Sequence, residues 1–70
     1  MGRVAAIGEA VRVQGLGLAG VVLLPAEDGA AVRTRWAALP GDIEVVILTQ
    51  MAHEALSPVS DGPLTVVMPP

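Results

Sequence analysis

The sequence predicts one small α/β domain: a flavodoxin-like or Rossmann-like parallel sheet of four strands, order 2-1-3-4, with helices on both faces. Short runs of Val, Ile, Leu and Ala alternate with helix-compatible segments along all 70 residues. The apolar runs are continuous, as in strands buried on both faces. They are separated by helical crossovers, which imply parallel pairing with a right-handed connection.

Residues 3–7 (RVAAI) read as the first strand, and Gly8 and Glu9 turn the chain. Glu9 then stands where a helix N-terminus favours negative charge. Residues 10–18 follow as a helix, with Val11 and Leu18 seven apart on one face. Gly20 ends that helix in the usual place for a C-terminal glycine. Residues 21–24 (VVLL), closed by Pro25, make the second strand.

Glu27, Asp28 and Gly29 open a second helix. Its stripe is Val32, Trp36 and Leu39, spaced i, i+4 and i+7, and Pro40 and Gly41 end it. Trp36, the only aromatic residue, reads as a core anchor, with an interface anchor as the minority reading. Residues 44–48 (EVVIL) are the third strand. Thr49 caps a third helix over residues 50–56, and Ser57 and Pro58 end it. Asp61, Gly62 and Pro63 turn the chain into a fourth strand, residues 64–68 (LTVVM).

Size and charge exclude several functions. Seventy residues make a single domain, which buries only about 60% of its unfolded surface. The chain has no cysteine, so no disulfide framework and no thiolate metal site, and His53 alone cannot build a histidine cluster. The net charge is −3, lysine is absent, and the basic residues are Arg3, Arg12, Arg33 and Arg35. Nucleic-acid binders concentrate basic and aromatic residues instead. The longest uncharged stretch, residues 13–26, is too short for a spanning helix of about 20 residues and ends near a proline. The N-terminus meets Glu9 too early to read as a signal peptide. A cytoplasmic location is the expectation.

Residues 15–20 (GLGLAG) match G-x-G-x-x-G, the phosphate-cradling pattern of dinucleotide-binding folds. That pattern requires the glycines directly after a strand, opening a helix whose N–H groups face the pyrophosphate. Here they fall at the exit of the first helix, where the dipole repels phosphate. Aligned instead at Gly8, the second and third glycine positions hold Ala10 and Val13. Only Glu27, just past the second strand, fits a ribose-binding reading. The structural reading is preferred: Gly15 lets the helix approach the sheet closely, at a propensity cost of about 0.5–1 kcal/mol. No cofactor is expected.

Other chemistry is equally thin. A receiver-type phosphoacceptor needs clustered carboxylates for a hard cation, where this chain has Gly8–Glu9 and Thr49–Gln50. His53 and Ser57 are i and i+4 on the third helix, but Glu54 faces away and no third group orients the pair. Gln50, His53 and Glu54 read as a solvated face.

The ordered motifs resemble the F subunit of V-type (A/V-type) rotary ATP synthases over the whole chain. The I-G-D start of that family is matched by Ile7-Gly8-Glu9, and its G-F-x-L-A-G-like motif by Gly15-Leu16-Gly17-Leu18-Ala19-Gly20. Its D-I-x-x-x-I-L-I-T-like strand is matched by residues 42–49, its I-A-E-x-I-like helix by residues 51–56, and its closing strand and proline by Val66-Val67-Met68-Pro69. The resemblance implies a non-catalytic subunit of the central rotor stalk, docked on the coiled-coil D subunit. It implies a cytoplasmic place, peripheral to a membrane-bound complex. The match covers the family's N-terminal domain. The C-terminal helical segment that family members carry past the last strand has no counterpart here, and Ala10, Val11 and Arg12 stand where acidic residues are common.

Two alternatives stay beside it: a small nucleotide- or phosphate-binding domain, and a receiver-like module or homo-oligomer. Functional crevices of open sheets lie at the carboxyl ends of the strands. The interface is therefore expected near Glu9, Arg12, Gln14, Gln50 and Met51.

Overall fold

Four β-branched-rich runs, each too short to span more than one layer, pair edge to edge into a single sheet. The computed structural model describes residues 2–15, 20–57 and 62–69. In chain order the elements are β1 (Arg3–Gly8), α1 (Ala10–Gln14), β2 (Val21–Pro25), α2 (Gly29–Ala37), β3 (Ile43–Leu48), α3 (Gln50–Leu56) and β4 (Leu64–Val67). The strands are all parallel, in the order β2-β1-β3-β4. The predicted architecture is the observed one.

Register divides the sheet into two faces, because partners in a ladder share a face and neighbours along a strand do not. One face carries Ala5 and Ile7 of β1, Val22 and Leu24 of β2, and Val46 and Leu48 of β3. These join Val32 of α2 and Ala52 of α3 in the main core, with Trp36, Leu39, Met51 and Leu56 packed against it. Helices α2 and α3 touch each other on this side. The other face carries Val4 and Ala6, Val21 and Leu23, Val45 and Ile47, and Leu64 and Val66. Only α1 packs there among the described helices, chiefly over β1 and β2, with Val13 and Ala6 fully buried.

Helix α1 departs from expectation. It ends at Gln14 rather than running to residue 18, and Gly15 is its C-terminal cap in the right-handed helical region. The Gly15 N–H still donates to the Val11 carbonyl, at 3.3 Å. Val11 does not face the sheet: it is 85% exposed, and Val13 is the buried residue. A five-residue helix cannot persist on propensity alone. It is held by burial of Val13, an effect of about 1.5–3 kcal/mol. Leu16, Gly17, Leu18 and Ala19 lie outside the described residues, as do Pro58 and Asp61. The predicted stop at Gly20 is also corrected, since α1 has already ended; Gly20, at φ +86°, leads into β2 instead.

The other helix starts follow local capping chemistry. The Asp28 side chain accepts from the Ala31 N–H at 2.8 Å, opening α2. The Thr49 hydroxyl accepts from the Ala52 N–H at 3.3 Å, opening α3 over the predicted span. At the opposite end of the sheet the Arg3 guanidinium grips Asp42 through two hydrogen bonds, the second at 3.0 Å.

Candidate functional site

The carboxyl ends of β1, β2 and β3 converge on Gly8, Glu9, Ala26, Glu27 and Thr49. The Ala26 N–H donates to the Gly8 carbonyl at 2.8 Å, and the Thr49 N–H to the Ile7 carbonyl at 3.2 Å. Gly8 is wedged against Thr49, where an added Cβ would collide with the threonine side chain. Thr49 is 1% exposed, the buried polar residue of this end.

This is where a Rossmann-like fold would place a phosphate, at the N-terminus of the first helix. That place is taken. The Glu27 carboxylate reaches back from the end of β2 and accepts from the Ala10 N–H at 2.8 Å. Glu27 thus acts as a cap supplied by the next crossover, satisfying a donor that α1 cannot satisfy itself. Glu9, directly before Ala10, adds a second carboxylate at this helix start. Its Oε1 is shielded from solvent without a hydrogen-bond partner. The Thr49 hydroxyl, first, then the Glu9 backbone and the Arg12 charge hold the Glu9 carboxyl below its usual range, against the opposing effect of burial. An anion entering here meets negative charge where the dinucleotide pattern needs bare N–H groups.

The GLGLAG glycines contribute no cradle that the described residues reveal. Among the described residues, a Cβ on Gly15 would meet the carbonyls of Arg12 and Val11, at 3.4 and 3.5 Å. The expectation that Gly15 allows close helix–sheet packing is therefore corrected: the close approach belongs to Gly8.

The expected interface residues divide between the starts of α1 and α3. Glu9 and Arg12 are i and i+3 on α1, and Gln14 is exposed further along the same helix. Gln50 and Met51 begin α3 on the opposite face of the sheet, with Gln50 exposed and Met51 packed against the core. His53, Glu54 and Ser57 are exposed. Among the described residues no group of three or more His, Asp or Glu side chains comes together as a metal site, and no helix is long and apolar enough to cross a membrane.

Two surfaces escaped the sequence reading. At the amino end of the sheet, Trp36, Leu39, Pro40, Gly41, Ile43, Gly62 and Pro63 line a cleft of about 500 Å³. Gly62, at φ +103°, lies against the indole, and a Cβ there would stand 3.0 Å from Trp36 Cζ2.

The second surface is larger in consequence. Over β3 and β4 the α1-side face is open: Leu64 is 68% and Val66 49% exposed, beside half-buried Val45 and Ile47. In ladder register Val45 faces Leu64 and Ile47 faces Val66, so the four side chains form one continuous apolar strip. The topology contained the signal: right-handed crossovers in a 2-1-3-4 sheet put only the first helix on this side. Contiguous apolar surface of this kind marks sites of association.

A scan of family models, a search of curated proteins and a search of solved structures each find no match to the chain.

Proposed function

We propose that the chain is a non-catalytic docking subunit, of the kind found in the central stalk of V-type rotary ATPases, whose partner is a coiled-coil D-type subunit. The observation that carries the docking reading is the open apolar strip of Val45, Ile47, Leu64 and Val66. A sheet face left uncovered in so small a domain loses burial that the fold can recover by association. The motif resemblance, from Ile7-Gly8-Glu9 through Val66-Val67-Met68-Pro69, supplies the specific partner. The Glu27 cap on α1 speaks against the nucleotide-binding alternative, because it fills the position a phosphate would need.

Co-expression with a coiled-coil stalk subunit, followed by size exclusion, tests the proposal. Co-elution as a stoichiometric complex is expected. Independent elution, together with saturable micromolar binding of NAD or ATP in calorimetry, would replace it with the nucleotide-binding reading.

A further inference from the structure

We propose that the open strip over β3 and β4 is a slot for one amphipathic helix of a partner protein, seated beside α1 with an acidic residue against Arg12. The inference rests on the docking reading and adds the surface, the shape of its occupant and the charge that occupant carries.

The dimensions favour a single helix. Strands in a sheet lie about 4.8 Å apart, so the midline of β3 and β4 is about 9.6 Å from that of β1 and β2. Helix α1 lies over β1 and β2. Neighbouring helices pack with axes about 8–10 Å apart. One helix therefore fits beside α1 and covers the strip. The four residues of β4 span about 13 Å, the length of roughly nine helical residues. An occupant with apolar residues at i, i+4 and i+7 would meet Val45, Ile47, Leu64 and Val66 from one face.

The charge follows from the turn of α1. Val13 points into the sheet. Glu9 stands beside Thr49, which directly follows β3, and Arg12, one turn on, shares its flank and acts on its charge. Arg12 is exposed, and with Val13 turned to the sheet the helical rotation sets it on the same flank as Glu9, the β3 side of α1. A glutamate or aspartate on the partner helix would complete the pair. The same residue disfavours a second copy as occupant. If α1 of each copy filled the slot of the other, a two-fold axis would pass between the two helices and bring Arg12 against its own counterpart. Val11, on the crest of α1, extends the apolar surface beyond the slot.

Two designed peptides about four turns long test this. Both carry a leucine stripe, and one has glutamate and the other lysine on the flank facing α1. Titrated into the isotope-labelled full chain, the glutamate peptide is expected to shift the amides of Arg12, Val45, Ile47, Leu64 and Val66. It should bind about tenfold tighter than the lysine peptide, and Arg12→Glu should invert the preference. Leu64→Glu should abolish binding with unchanged circular dichroism, since residue 64 is exposed. Equal binding of the two peptides, no binding of either, shifts confined to the Trp36 cleft, or a dimer that Leu64→Glu dissolves would each overturn the inference. If Leu64→Glu still co-elutes with the coiled-coil subunit, the slot is wrong and the docking reading stands. If the unaltered chain does not co-elute while the peptide results hold, the slot stands and that partner is wrong.

Discussion

Gly8 and Thr49 meet so closely at the carboxyl ends of β1 and β3 that a Cβ on residue 8 would stand 2.8 Å from Thr49 Cβ, and closer to its methyl and hydroxyl. Thr49 cannot retreat freely, because its hydroxyl caps α3 and its N–H is bonded to the Ile7 carbonyl. A glycine at this turn is therefore a packing requirement. It also brings the first and third crossovers together at one end of the sheet.

The two glycines invite opposite outcomes. Gly8→Ala is expected to destabilise the fold by about 1–3 kcal/mol, through overpacking against Thr49. Gly15→Ala places a methyl at φ −65° and ψ −15°, with ordinary contacts among the described residues. It should be neutral or stabilising by up to about 1 kcal/mol, because the unfolded chain loses freedom. Urea midpoints of the two variants check both signs. Equal losses would mean that residue 15 is packed as tightly as residue 8.

Acid should weaken the fold through two carboxylates. Glu9 is held below its ordinary 4.5 by the Thr49 hydroxyl first, and Asp42 below its ordinary 3.8 by hydrogen bonding from Arg3. A depressed pKa in the folded state means that the unfolded chain takes up the proton more readily. The contribution is complete above the ordinary value and is lost as pH falls through the folded one. Stability should accordingly decline below pH 4.5, more gently in Glu9→Gln, as read from unfolding curves across pH. Thr49→Ala should move the Glu9 titration upward, seen in carboxyl NMR, and cost about 1 kcal/mol through the lost cap. Thr49→Ser should keep both.

Glu27 makes a third case. Glu27→Gln retains an oxygen to accept from the Ala10 N–H, whereas Glu27→Ala leaves that donor unpaired at the start of a five-residue helix. Glu27→Ala is expected to speed amide exchange across α1 and to cost roughly 0.5–2 kcal/mol, in the range of lost N-caps. Exchange as slow as in the unaltered chain would show that burial of Val13 holds α1 without the carboxylate.

Much of the fold was legible because it depends on short-range chemistry. Uninterrupted runs such as VVLL and VVIL mark strands, Asp28 and Thr49 cap the helices that follow them, and Val32, Trp36 and Leu39 reach one core, although α2 ends at Ala37 rather than at Pro40 and Leu39 lies beyond it. Handedness then limits how such strands connect, so the order 2-1-3-4 followed. The site was less legible. Of the residues the proposed slot draws on, Arg12 was named from its place after β1, while Leu64 and Val66 look in the sequence like any buried strand residues.

The sequence by itself determined the succession of elements and the main caps, because each rests on neighbours within a turn or a strand. Tertiary structure alone decided that Val13 rather than Val11 turns inward, that Glu27 closes a helix seventeen residues before it, that Gly8 must yield space to Thr49, and that Leu64 and Val66 stay exposed on the α1-side face. Those depend on how elements rotate and register against each other. That is settled by contacts between residues far apart in the chain, to which local periodicity is blind.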